Sequence, residues 1–107
     1  MLAKEDTNLE FKDTSGRTPL SWAAEKGHKA VVELLLAKDG VYPDSKDNSG
    51  RTPLSWATEK GHKAVIELLL TKDGVYPDSK DNSGRTPLLW ATKQGHKAVV
   101  KLLQPPV

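Results

Sequence analysis

Apolar residues come along this chain in short bursts, each framed by turn formers. The first burst, PLSWAAEK from Pro19 to Lys26, follows Thr18. Threonine is a favoured N-cap, and proline at the first helical position gives up no needed donor. The pattern predicts a short helix from Pro19 to about Lys26, ended by Gly27 just past its last turn. His28 opens a second helix, about Lys29 to Lys38, whose apolar residues are Ala30, Val31, Val32, Leu34, Leu35 and Leu36. So wide a stripe suits a helix with neighbours on several sides. Lys29 and Glu33, one turn apart, are expected to face solvent. From Asp39 to Ser49 the residues Gly40, Pro43, Asp44 and Asn48 predict a loop with a short hairpin at its far end.

The same pattern then returns. GRTPLSWAAEKGHKAVVELLL at Gly16 becomes GRTPLSWATEKGHKAVIELLL at Gly50 and GRTPLLWATKQGHKAVV at Gly84, a period of 34 residues. Residues 13–46 and 47–80 agree at 30 of 34 positions. A fixed period of this length marks stacked units. The domain reading is a remnant of a preceding unit at 1–12, units at 13–46 and 47–80, and a C-terminal unit at 81–107. The remnant follows from register, since Leu2, Ala3 and Lys4 fall over Leu36, Ala37 and Lys38, and Lys12 over Lys46. A chain cut from a longer array, or beginning just after a natural boundary, would start this way; a disordered N-terminus is the alternative. In the third unit Gln104 replaces Leu70, Lys101 replaces Glu67 and Lys93 replaces Glu59, giving the more polar outer side of an end cap.

Each predicted helix is shorter than the roughly 12–15 residues at which a helix holds alone in water. Each unit also has an apolar stripe with nothing of its own to cover it. Stacking supplies the cover, at roughly 1.5–3 kcal/mol for each Leu or Val moved into a seam.

Asp13, Gly16, Thr18-Pro19-Leu20, Ala23, Ala24, Gly27-His28, Val31-Val32 and Leu34-Leu35-Leu36 together resemble the ankyrin repeat, and the match recurs from Asp47 and Asp81. The resemblance implies an all-α ankyrin-repeat solenoid of stacked helix-turn-helix units joined by hairpin-like loops. There are two departures. Ser21, Ser55 and Leu89 stand where the motif carries histidine, and each unit is one residue longer than usual, around Asp39 and Asp73. The Thr-Pro-Leu-Ser-Trp-Ala variant is similar to the C-terminal arrays of large fungal receptor-like NTPases. Near-identity of the copies also fits consensus design.

What the family implies is non-catalytic recognition of another protein through the hairpin tips and the first-helix face. Carried over by position, that surface comprises Thr14, Ser15, Arg17, Glu25 and Lys26 in the first unit. The second supplies Asn48, Ser49, Arg51, Glu59 and Lys60, and the third Asn82, Ser83, Arg85, Lys93 and Gln94. Arg17, Arg51 and Arg85 are expected to form an outward column of guanidinium groups suited to carboxylates or phosphates. Against a bespoke site stands the near-identity of these positions between copies. The alternative is a structural spacer or scaffold, or an engineered repeat protein, with no specific partner on this segment.

The histidines His28, His62 and His96 invite a metal reading. Equivalent residues of stacked helices lie about 10 Å apart, and zinc needs nitrogens at about 2.0–2.1 Å. Turn packing, with a ring nitrogen bonded to nearby backbone, is the expected role, and no metal or cofactor is predicted. Trp22, Trp56 and Trp90 form a second ladder that suits either an inter-unit seam or a partner contact. Tyr42 and Tyr76, each just before a proline, are open between packing and contact.

Composition changes little in this picture. Net charge is +2, and residues 13–46 and 47–80 each carry five positive and five negative side chains. Only residues 81–107 are lopsided, with Arg85, Lys93, Lys97 and Lys101 against Asp81, too little for a nucleic-acid footprint. No phosphate-binding glycine loop, nucleophile elbow or metal-spaced histidine pair points to an enzyme. The longest apolar run, Leu34 to Ala37, is far below a membrane span, and the chain has no cysteine. A cytoplasmic protein is expected, free of nucleic acid and membrane, with self-association through an uncovered N-terminal repeat face as a further expectation.

Overall fold

The computed structural model describes residues 11–104, so most of the 1–12 segment, and its reading as a remnant, lies outside the described residues. Six helices form: α1 (Pro19–Lys26), α2 (Lys29–Leu36), α3 (Pro53–Lys60), α4 (Lys63–Leu70), α5 (Pro87–Lys93) and α6 (Lys97–Leu103). The first helix of each unit starts where its cap dictates. Thr18 Oγ1 accepts from the Ser21 amide at 3.2 Å, and Thr52 and Thr86 repeat the bond to Ser55 and Leu89.

Gly27 ends α1 at φ 74°, a left-handed conformation in which the His28 amide reaches the Ala23 carbonyl at 3.0 Å. A second reason for glycine comes from the neighbouring unit. A Cβ at Gly27 would lie 2.6 Å from His62 Nδ1, so the histidine ring occupies the space that the missing side chain leaves. The helices α2 and α4 end at Leu36 and Leu70, two residues short of the expected Lys38 position. There the Lys38 amide bonds to the Leu35 carbonyl, one residue tighter than a helical bond, and Gly40 at φ 86° turns the chain away.

The helices stack in two layers. One runs α1, α3, α5 and the other α2, α4, α6, with each helix of a unit packed on its partner. Between them lies one core of Leu20, Leu54, Val32, Ile66, Leu69 and the alanines Ala24, Ala57 and Ala91, all essentially inaccessible to water. The alanines let adjacent first helices approach closely. Among the described residues no strand forms. Each hairpin tip is a tight turn instead, closed by bonds such as Asp13 N to Arg17 O at 3.0 Å and Gly16 N to Asp13 O at 2.9 Å.

The broad apolar stripe of the second helix behaves as expected only where a unit precedes it. Val65 and Val99 are buried, whereas Val31 is 44% exposed and Leu34 64% exposed. The third unit is capped over part of its surface. Lys93, Lys101 and Gln104 are exposed, but Leu88, whose counterparts Leu20 and Leu54 are buried, is only half-buried. With Pro77, Asp78, Thr86 and Leu103 it lines an open hollow of about 470 Å³.

Candidate functional site

The tips are built by one aspartate each. Asp13 Oδ1 accepts from the amides of Ser15 (2.9 Å) and Arg17 (3.0 Å), which fixes the turn. Its Oδ2 accepts from Trp22 Nε1 at 2.8 Å, which fixes the indole of the following helix. Asp47 does the same for Trp56 and Asp81 for Trp90. Hydrogen bonds from Arg17 N and Trp22 hold the Asp13 carboxyl below the usual carboxylate range. At Asp81 burial pushes the pKa up, but the amides of Arg85 and Ser83 and the Trp90 indole outweigh it, and the net shift is downward.

Neighbouring tips are then tied together. The Asn48 amide donates to Ser15 O at 3.0 Å, and its Nδ2 donates to Thr14 O at 3.0 Å. Asn82 repeats both bonds to Ser49 O and Asn48 O. Lys12 Nζ donates to Lys46 O, and Lys46 Nζ to Lys80 O. Between the first two tips lies a cleft of about 400 Å³, lined by Thr14, Ser15, Arg17, Trp22, Asp47, Asn48, Ser49 and Trp56.

The arginines correct the expectation of an outward guanidinium column. Arg17 and Arg51 are buried, at 6% and 8% exposure. The Arg17 guanidinium lies 3.7 Å from the Trp22 ring centre and 3.9 Å from that of Trp56. Arg51 lies likewise between Trp56 (3.7 Å) and Trp90 (4.0 Å). Indole and guanidinium planes thus alternate along the stack, bound by cation–π attraction. This settles the tryptophan ladder as a seam, with Trp22 at its open end still 41% exposed.

The edge of each buried guanidinium is also spent. Arg17 Nε donates to Ser21 Oγ at 3.1 Å and Nη2 to Ser21 O at 3.2 Å, and Arg51 makes the same pair to Ser55. The serine in the histidine place of the motif is therefore an arginine anchor. Arg51 Nη2 donates to Glu59 Oε1 at 2.7 Å. Arg17 Nη1 lies 2.8 Å from Glu25 Oε1, a charge contact whose angle falls outside hydrogen-bond geometry. Glu25 and Glu59 are consequently committed inward, half-buried, rather than offered to a partner.

Arg85 differs. Leu89 replaces the serine and Lys93 the glutamate, and the Arg85 side chain has no hydrogen bond or ion pair among the described residues. It is half-buried and 4.9 Å from the Trp90 ring centre.

The remaining predicted site residues are exposed: Thr14, Ser15 and Lys26, then Asn48, Ser49 and Lys60, then Asn82, Ser83, Lys93 and Gln94. They share the tip-and-first-helix side, although the asparagines also serve the inter-tip bonds. Leu89, 46% exposed, was not among the predicted residues; its contrast with Ser21 and Ser55 was the available signal. Tyr42 and Tyr76 are exposed, at 55% and 62%.

His62 and His96 pack as turn residues across unit boundaries, whereas His28 is exposed and makes no such bond among the described residues. His62 Nε2 lies 2.8 Å from Glu25 O and His96 Nε2 2.8 Å from Glu59 O, the preceding unit supplying the carbonyl each time. Among the described residues no helix is long and apolar enough to cross a membrane.

A family model described as ankyrin repeats in three copies matches residues 1–81 and 40–106. No curated protein matches the chain. The matched span, the capped helix pairs and the repeated tip turns agree: this chain belongs to the ankyrin-repeat family, as an all-α solenoid.

Proposed function

We propose that the chain is a non-catalytic protein-recognition module, comprising units 13–46, 47–80 and 81–107 of a longer array in a larger cytoplasmic protein. Ankyrin repeats are in general protein–protein interaction modules. One observation carries the reading here. Ten exposed polar residues on the tips and first helices are mounted on a backbone tied from unit to unit by Asn48 and Asn82. Such a surface loses little conformational freedom when a partner docks. Its partner is another protein rather than nucleic acid or membrane, because charges cancel within each of the first two units and those ten exposed residues include only three spaced lysines, Lys26, Lys60 and Lys93.

Photo-crosslinking tests this. A photoreactive residue at Ser15, Ser49 or Ser83 is expected to capture a protein in cells, and one at Lys29, Lys63 or Lys97 is not. A spacer or scaffold gives no capture from either set.

A second reading is self-association through the leading face of the first unit. Exposed Val31 and Leu34 favour it, because in the second unit their counterparts Val65 and Leu68 are buried and half-buried against the preceding unit. A concentration-dependent sedimentation coefficient, abolished by Leu34→Glu, is its expected signature.

A further inference from the structure

The chain shows twice what this arginine position requires. Arg17 and Arg51 each have a serine Oγ on Nε and a glutamate carboxylate at 2.7–2.8 Å on the outer edge. The third unit keeps the arginine, the tryptophan beneath it and the tip that orients both, since Asp81 still holds Trp90 Nε1 at 3.2 Å. It discards both anchors together. Leu89 stands for the serine and is 46% exposed, and exposed Lys93 stands for the glutamate. The result is a guanidinium 4.9 Å from an indole centre, its edge without a partner among the described residues, with exposed Leu89 and Lys93 four and eight residues further on where the first two units carry its anchors.

We propose that Arg85, Lys93 and Leu89 form a binding site for the carboxylate of an acidic segment of a partner protein, with an apolar side chain beside the acid. The incoming carboxylate takes the place that Glu25 and Glu59 hold in the first two units. Arginine on a carboxylate gives a directional, charge-assisted pair. The Lys93 ammonium adds attraction for the carboxylate and repels a cationic side chain, and Leu89 receives the neighbouring apolar group. The buried pairs of units 1 and 2 are unavailable to the same ligand, so specificity resides where the copies differ. This rests on the recognition reading above and narrows it to one position and one chemistry.

Carbon-detected guanidinium NMR resolves the three arginines and tests the site directly. The probe is the peptide acetyl-Leu-Glu-Glu-Leu-amide, with its Gln-for-Glu counterpart as control. The Arg85 resonance is expected to move saturably with the acidic peptide while those of Arg17 and Arg51 stay fixed. The Gln peptide should bind at least about tenfold more weakly.

The double variant Leu89→Ser with Lys93→Glu rebuilds the anchors of the second unit. It should shift Arg85 towards the Arg51 resonance without peptide and weaken binding at least about tenfold. Unchanged Arg17 and Arg51 resonances report that the variant is folded, and Arg85→Gln provides a second route to the same loss. Equal movement of all three arginines, no movement of Arg85, or full affinity in either variant overturns the site. Crosslinking from the tips that persists after such a result leaves the recognition reading standing, so the two failures are distinguishable.

Discussion

Replacing Arg51 by methionine is predicted to cost the fold about 3 kcal/mol, whereas the same change at Arg85 costs less than about 1 kcal/mol. Methionine keeps most of the aliphatic stem and its packing, so the comparison isolates the guanidinium. At position 51 the change removes stacking on two rings, at 3.7 and 4.0 Å. Each such contact contributes roughly 0.5–1 kcal/mol. It also strips Glu59 of its counter-charge. Breaking a fully buried pair costs roughly 3–5 kcal/mol, but the Glu59 side chain is 19% exposed and water recovers part of that. About 1–2 kcal/mol is the appropriate remainder. At position 85 only one ring is lost, at 4.9 Å, and no carboxylate is abandoned.

Urea unfolding followed by far-UV circular dichroism reads the difference. For a slope of about 1.5 kcal/mol per molar, typical of a small protein, the midpoint falls by about 2 M for Arg51→Met and by less than about 0.7 M for Arg85→Met. Adding Glu59→Gln to Arg51→Met should restore part of the loss, because the orphaned charge is then gone. Equal shifts at positions 51 and 85, or no recovery with Glu59→Gln, would refute the alternating ladder as a source of stability.

Other consequences follow from single groups. Asp44 is buried, and desolvation raises its carboxyl pKa. The folded state therefore binds this proton more tightly than the unfolded chain does, so the group costs stability as pH rises through its folded pKa. Asp44→Asn should raise the urea midpoint at neutral pH, with the gain shrinking below the ordinary carboxylate range. Asp13 and Asp81 act with the opposite sign, since their lowered values give stability that is lost as pH falls. Asp81→Asn should accordingly lower the midpoint at neutral pH and narrow its acid dependence. His62→Ala leaves Glu25 O without its partner and opens space over Gly27, a loss of about 1–3 kcal/mol in the same assay. His28→Ala, at an exposed position, should stay within about 0.5 kcal/mol of the parent.

While α2 and α4 stop two residues early, the ends of the first helices were legible because the chain writes them locally. Thr18-Pro19 and Gly27 fix their ends through a side-chain bond and a left-handed φ that need no knowledge of the neighbours. The role of His62 and His96 was legible for a related reason, since repeat spacing leaves each ring to bond nearby backbone. The orientation of the arginines was not. A polar residue beside a tip reads as exposed until its cover is known, and half of that cover is the tryptophan of the next unit, 39 residues on.

A trace of it was present all the same. Arg17, Ser21 and Glu25 are spaced by four, one strip of helix surface, and the third unit loses the serine and the glutamate together. The exposure of Val31 and Leu34 was also beyond a reading of one unit, because their counterparts are identical in type and differ only in what precedes them.

The account depends on each unit burying the next one's apolar face. Removing residues 81–107 strips the α5–α6 cover from α3 and α4, whose Leu54, Ile66 and Leu69 are now sealed. A thermal melt of residues 1–80 by far-UV circular dichroism is predicted to show little helix and no cooperative transition. A helical signal that melts cooperatively near the temperature of the full chain would contradict the account.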